Sequence, residues 1–272
     1  MKITVFALGG TIGSEVDESG VIRLGEAARD LFASPDFKFL SPFAYSSEDA
    51  DIYTYQKALK AVYSECIEDK PDGVIILHGT DTMAYFAQVA YRVLRVLDIP
   101  VVITGSVLPP SVPGSDAKAN VQAAIDYISS GVPGVAVTGK GIAGALPAYK
   151  ITQADLSGKY GVYESAKAPD VRPEFLAKEF LPDVMVIPDV PGAFAKASLF
   201  EKHDCILIRA YHSGTCPAAL ADALPKGTKA FIAPVMRSDT VYESRHKAEQ
   251  AGIIPLYDMP FEGAWAEVMV NE

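Results

Sequence analysis

Short, unbroken apolar runs punctuate the chain. KITVFAL (2–8), GVIILHG (73–79), VVITGS (101–106) and GVAVTG (134–139) occupy its first part. VMVIPDV (184–190), CILIRAY (205–211), KAFIAPV (229–235) and GIIPLYD (252–258) follow. They do not alternate apolar with polar, as a strand with one wet face does. Rich in Val and Ile, they predict parallel strands covered on both faces. Between them the period changes. In 82–97, Met83, Phe86, Ala87, Ala90, Val93, Leu94 and Leu97 recur at steps of mostly three and four, the stripe of a helix lying on a sheet. Segments 52–67 and 116–129 repeat that pattern. Strands alternating with helices predict an α/β fold with a mainly parallel sheet.

One stretch breaks the rhythm. SAKAPDVRPEFLAKEFLPD (165–183) holds three prolines and several charges. It divides the chain into a larger N-terminal domain (1–164), a linker (165–183) and a smaller C-terminal α/β domain (184–272). Ligands of open parallel sheets bind beyond the carboxyl ends of the strands. The segments to inspect are therefore Thr11, HGTDT (78–82), TGSVLPP (104–110) and YHSGTC (211–216).

Composition narrows the function. The 272 residues are 49% hydrophobic and carry a formal net charge of −10. That sign opposes binding to phosphate backbones, and no Lys/Arg-rich run offsets it. Neither a nucleic acid nor a membrane is expected as partner: no apolar stretch approaches the roughly 20 residues of a spanning helix. The first strand-like run begins at Lys2, so no export leader is expected. Cys66, Cys205 and Cys216 show no CxxC spacing and suit reduced thiols in a cytoplasm, with a bridge such as Cys205–Cys216 left open. The four histidines are scattered, so no metal is expected. Gly10 and Gly13 suit a dinucleotide fingerprint, but Leu8 stands where its first glycine must be. No phosphate-binding GxxxxGK[ST] run exists, and no cofactor is expected.

Candidate chemistry then centres on hydroxyls. Thr11 follows two glycines after a strand. It suits a cap or turn hydroxyl, or a nucleophile whose neighbouring backbone N–H groups face a developing oxyanion. Thr80 and Asp81 end a second run, where Asp81 also suits the N-cap of the following helix. A threonine nucleophile needs a base, and Lys150, after the GALPAY turn, is the available amine. Its ordinary alternative is a surface lysine. His78 follows three apolar residues and suits a packed, hydrogen-bonded imidazole better than a base.

GGTIGS, ILHGTDTMAYFA, ITGSVLPPSVPGSDAKANVQAAIDY and YKITQAD occur in this order. The combination resembles the bacterial-type L-asparaginase family, including its glutaminase-asparaginases, over residues 3 to about 158. It continues more loosely through ILIRAYHSGTCP and GIIPLYDMPFEGA. The resemblance implies hydrolysis of a small amino-acid amide to a carboxylate and ammonia without a cofactor. Thr11 would attack the amide and form an acyl-enzyme; Thr80, Asp81 and Lys150 would manage the proton and position the attacking group. Ser47 would hold the substrate carboxylate, Glu48 the next binding position where Gln is common, and Asp81 also the α-ammonium. Gly10 and Gly79 would belong to the same binding surface. Asp116 and Asn120 match a structural D-x-x-x-N pattern. A homo-oligomer, dimer or tetramer, with sites near subunit interfaces is implied too. The related amidotransferase subunits carry an extra N-terminal domain, which is not expected here because the catalytic strand-like run begins at Lys2.

Three departures stand out. The family's loop tyrosine falls near Val21, and no tyrosine lies between Thr11 and Tyr45. In YHSGTCP, Thr215 occupies an asparagine position. Little sequence follows EGAWAEV, so a short small domain is expected. The acidic SEVDESG segment (14–20) suits a solvated lid that opens and closes.

Overall fold

In the computed structural model, which describes residues 1–193, 202–224, 227–233 and 242–272, the first apolar run forms β1 (Ile3–Ala7). A 3-10 turn over Thr11–Gly13 leads into a hairpin of β2 (Ser14–Val16) and β3 (Ile22–Leu24). Then come β4 (Phe37–Leu40), α1 (Ile52–Asp69), β5 (Gly73–Leu77), α2 (Met83–Leu94) and β6 (Pro100–Thr104). They are followed by α3 (Ala117–Ser129), β7 (Gly134–Thr138), β8 (Leu146–Pro147), β9 (Ile151–Ala154) and β10 (Tyr160–Val162).

The first sheet runs β4-β1-β5-β6-β7-β8, with only β8 antiparallel. Every residue of β5 and β6 is buried. That explains the nearly unbroken apolar runs: both faces are covered, so both favour apolar side chains. On one face Ile3, Val5, Ile75, Leu77 and Val102 meet Ala117, Val121, Ala124 and Ile128 of α3. Asp51 caps α1, its carboxylate accepting from Thr54 N at 2.7 Å. The helix stops at Lys70, which adopts a left-handed φ of 47°. The structural role expected of Asp116 and Asn120 matches their contacts. The Asp116 carboxylate accepts from Val107 N at 2.9 Å, and Asn120 Nδ2 donates to Gly105 O at 2.9 Å.

A second unit contains β11 (Val184–Ile187), β12 (Cys205–Arg209), α4 (Ala218–Ala223) and β13 (Lys229–Ala233). It continues through α5 (Glu243–Gln250), β14 (Ile254–Pro255) and α6 (Phe261–Asn271). Its parallel sheet keeps chain order, β11-β12-β13-β14. Ile187, Ile206, Ile208, Ile232 and Ile253 centre its core. All eight apolar runs contribute strands, although the end of 229–235 lies outside the described residues. The run at 252–258 pairs only through Ile254 and Pro255. Proline has no ladder N–H and confines that strand to the sheet edge. Cys66, Cys205 and Cys216 are all free and buried, so no bridge forms between Cys205 and Cys216.

The division is more interleaved than a single linker over 165–183. Residues 1–162 and 169–178 form one unit, and 163–168 with 179–272 the other. The stretch 169–178 is fastened to the first unit rather than spanning freely. Phe175 is fully buried, Gln56 Nε2 donates to Phe175 O and Lys178 O, and Arg172 N donates to Arg92 O.

Candidate active site

The chain leaves β1 toward β4 on one side and leaves β5 toward β6 on the other. Loops departing in opposite directions from adjacent parallel strands open a crevice between them. A cleft of about 270 Å³ lies there. Gly10 and Thr11 enter it after β1, and Gly79, Thr80 and Asp81 after β5. Ser46, Ser47 and Glu48 enter from the loop after β4. Seven of the eight residues that the resemblance implies for catalysis and substrate binding therefore line one cleft. The eighth, Lys150, ends the turn Ala148–Lys150 before β9 and is not among the residues lining this cleft.

Backbone proximity makes this convergence possible. Gly10 has φ 82°, and a Cβ there would stand 2.4 Å from Gly79 Cα. A Cβ on Gly79 would stand 2.4 Å from Ser47 Oγ. Three loops thus meet where side chains are absent. Tyr45 N donates to Leu8 O at 3.0 Å and carries the β4–β1 pairing onward, while Thr82 Oγ1 donates to Ser47 O at 2.8 Å. These bonds hold the loop that carries Ser47, which is buried. Thr82, not Asp81, takes the N-cap position of α2, and its hydroxyl turns to Ser47 instead of the helix. Nor is Thr11 a cap: it opens the 3-10 turn whose cap position is Gly10.

His78 lies under the same loop in the packed role expected of it. It is fully buried, stacks on Phe86 at 4.5 Å between ring centroids, and makes a 2.8 Å contact from Nδ1 to Gly79 O. Burial lowers its pKa from 6.5 to about 4, so the ring is neutral near pH 7 and poorly suited to taking a proton from a nucleophile.

The hairpin β2–β3 supplies the remaining wall. Ser14 pairs with Leu24 and Val16 with Ile22, so these four share one face, while Glu15 and Arg23 share the other. Ser14, Ile22 and Leu24 line the cleft. The acidic segment 14–20 forms the first strand and turn of this hairpin and is largely exposed, as expected, while Ile22 and Leu24 of the second strand bring hydrocarbon to the site. The turn is well bonded. The Asp17 carboxylate accepts from Ser19 N, Ser19 Oγ, Val21 N and Arg23 Nε. Those donors lower its pKa to about 2. Val21 is exposed at this turn, and the neighbouring cleft-lining positions carry hydrocarbon, not a phenol. Sequence reasoning passed over Ile22 and Leu24; their two-residue spacing opposite Ser14 and Val16 was the available signal.

Among the described residues lining the cleft, Glu48 and Asp81 carry charge and neither Lys, Arg nor His occurs. Such a wall attracts an ammonium group. TGSVLPP follows β6 outside the cleft lining, and YHSGTC forms a turn of the second unit in which Tyr211 N donates to Thr215 O at 2.9 Å.

A parallel α/β sheet with hydroxyls and carboxylates gathered at its switch point defines the class, and the family follows. The chain belongs to the asparaginase family, whose N-terminal domain matches residues 2–161. It is 28% identical to an L-asparaginase of Thermococcus kodakarensis, over 99% of this chain and 92% of that one. It is 25% identical to a glutamyl-tRNA(Gln) amidotransferase subunit of Methanothermobacter thermautotrophicus, over 98% of this chain and 71% of that one. The solved structure of the thermostable L-asparaginase from Thermococcus kodakarensis superposes with a TM-score of 0.74 at 23% identity, covering 99% of this chain and 92% of that one. That likeness establishes the fold.

Proposed function

We propose that this protein hydrolyses the side-chain amide of L-asparagine to L-aspartate and ammonia. The observation carrying this reading is the meeting of Thr11 with Thr80, Asp81 and Ser47 in one cleft at the switch point of the sheet. Thr11 Oγ1 attacks the amide carbon while its proton passes through Thr80 to Lys150. The tetrahedral intermediate collapses, the C–N bond breaks, and the nitrogen leaves as ammonia with the returned proton. Water then cleaves the resulting ester, releasing aspartate and restoring the hydroxyl. Asp81 and Glu48 receive the substrate's α-ammonium and Ser47 its carboxylate; the close-packed backbone at Gly10 and Gly79 lets the substrate approach. The homo-oligomer implied by the resemblance, with sites near its interfaces, belongs to this reading. So does a cytoplasmic location, which three free thiols suit.

A second reading, a subunit supplying ammonia to tRNA amidation, draws on the similarity to the amidotransferase subunit of Methanothermobacter thermautotrophicus. Ammonia release from L-asparagine and L-glutamine, measured over a concentration series with the isolated protein, separates the two. Turnover of free asparagine that Thr11→Ala abolishes supports the asparaginase. A preference for glutamine redirects the reading to a broader glutaminase-asparaginase. Binding of asparagine without ammonia release would mark a catalytically impaired homologue and overturn the proposal.

A further inference from the structure

Helix α2 carries two polar side chains that a helix packed on a sheet has no reason to bury. Gln88 and Arg92 are each 1% exposed and stand one turn apart. Arg92 Nη1 donates to Gln88 O at 3.0 Å and to Gln88 Oε1 at 3.3 Å. With its oxygen held by the guanidinium, the Gln88 amide must aim its nitrogen outward from the helix. Gln88 Nε2 donates to Tyr149 O at 3.1 Å and to Ile151 O at 3.2 Å. Those two carbonyls flank Lys150. The turn bearing the proposed base is therefore bonded, on both sides, to the helix that starts two residues after Asp81.

The hairpin β9–β10 completes the connection from the other direction. Gln153, three residues past Lys150, donates from Nε2 to Asp81 O. Tyr160 Oη donates to Thr80 O at 3.1 Å. Consecutive carbonyls of the Thr80–Asp81 loop thus receive side chains from the two strands of one hairpin. Tyr160 is 6% exposed, and burial followed by the charges of Asp81 and Asp116 raises its pKa, so the phenol keeps the proton it donates.

We infer that Gln153 and Tyr160, with Gln88 behind them, are positioning residues that hold Lys150 in register with Thr80 and Asp81. Each acts through a backbone carbonyl and none lines the cleft. The inference rests on the amidohydrolase reading and adds to it. Lys150 has a long, flexible stem, and a misplacement of about 1 Å between reacting groups costs on the order of 10²-fold in rate. Anchoring both sides of the lysine and both carbonyls of the receiving loop removes that drift.

The test is steady-state ammonia release from L-asparagine by the purified protein, by Tyr160→Phe and by Gln153→Met. Both substitutions keep size and remove the donor. Each is also made in a Lys150→Met background. The expected result is a kcat lowered about tenfold or more, with KM changed less than about twofold. In the Lys150→Met background the same substitutions add no further loss, since the group they align is gone. A merely structural role would lower thermal stability and multiply its effect with Lys150→Met. That outcome, or wild-type kcat in both single variants, overturns the inference while leaving the amidohydrolase reading standing. A wild-type protein that releases no ammonia overturns that reading and this inference with it.

Discussion

A Cβ at position 79 would lie 2.4 Å from Ser47 Oγ and 2.6 Å from Ser47 Cβ. Ser47 is buried and held through its carbonyl by Thr82, so it has little room to retreat. Gly79→Ala is expected to displace Ser47 and raise KM for the amide about tenfold, at a stability cost of about 1–3 kcal/mol from overpacking. Gly10→Ala meets backbone, not a side chain, and at a positive φ. It is expected to lose more of both. Kinetics beside thermal denaturation checks the order; a Gly10→Ala enzyme milder than Gly79→Ala would contradict the close packing of these loops.

Lys150→Met is expected to lower kcat by about 10²–10⁴ while the protein stays folded, the range for loss of a general base. Circular dichroism and ammonia release together check this. A variant that retains full turnover would remove Lys150 from the mechanism.

The hairpin makes a different kind of claim. Ile22 and Leu24 are 49% and 45% exposed, so replacing both with Ser should shift stability by less than about 1 kcal/mol. Because they line the cleft, the same change is expected to weaken kcat/KM about three- to tenfold by admitting water. Asp17→Ala removes the acceptor at the hairpin turn and should act in the same direction. Equal effects on stability and turnover would make the hairpin a structural flap only.

Stability should carry a signature of His78. Its pKa is lowered from 6.5 to about 4 by burial, so the unfolded chain binds a proton that the folded chain refuses. This contribution is complete above pH 6.5, falls as the pH drops from 6.5 toward 4, and levels off below that. Its full size is on the order of 3 kcal/mol. Denaturant melts of wild type and His78→Gln between pH 7 and 4 measure it. A wild-type slope unchanged by the substitution would assign the acid sensitivity to other groups.

The periodic signals were legible because their physics is local. Both-face burial writes itself as unbroken Val/Ile runs, and α2 as a stripe at helical spacing, so the parallel sheet and its helices were readable. FKFL, which became β4, was not, being short and only partly buried at the sheet edge. Asp81 looked like a helix cap by position, yet Thr82 took the place while directing its hydroxyl to Ser47.

The sequence by itself determined the fold class, the strand ends where chemistry belongs, and the residue types carried there, since these follow from periodicity and motif order. Only the tertiary structure decided that the loops after β1, β4 and β5 enclose one cleft, because strand order is set by non-local pairing. It also decided that 169–178 returns to the first unit, and that Gln88, Gln153 and Tyr160 point at the carbonyls around Lys150 and Asp81. Those contacts join residues 61 to 80 positions apart, a separation at which chain pattern carries no record of geometry.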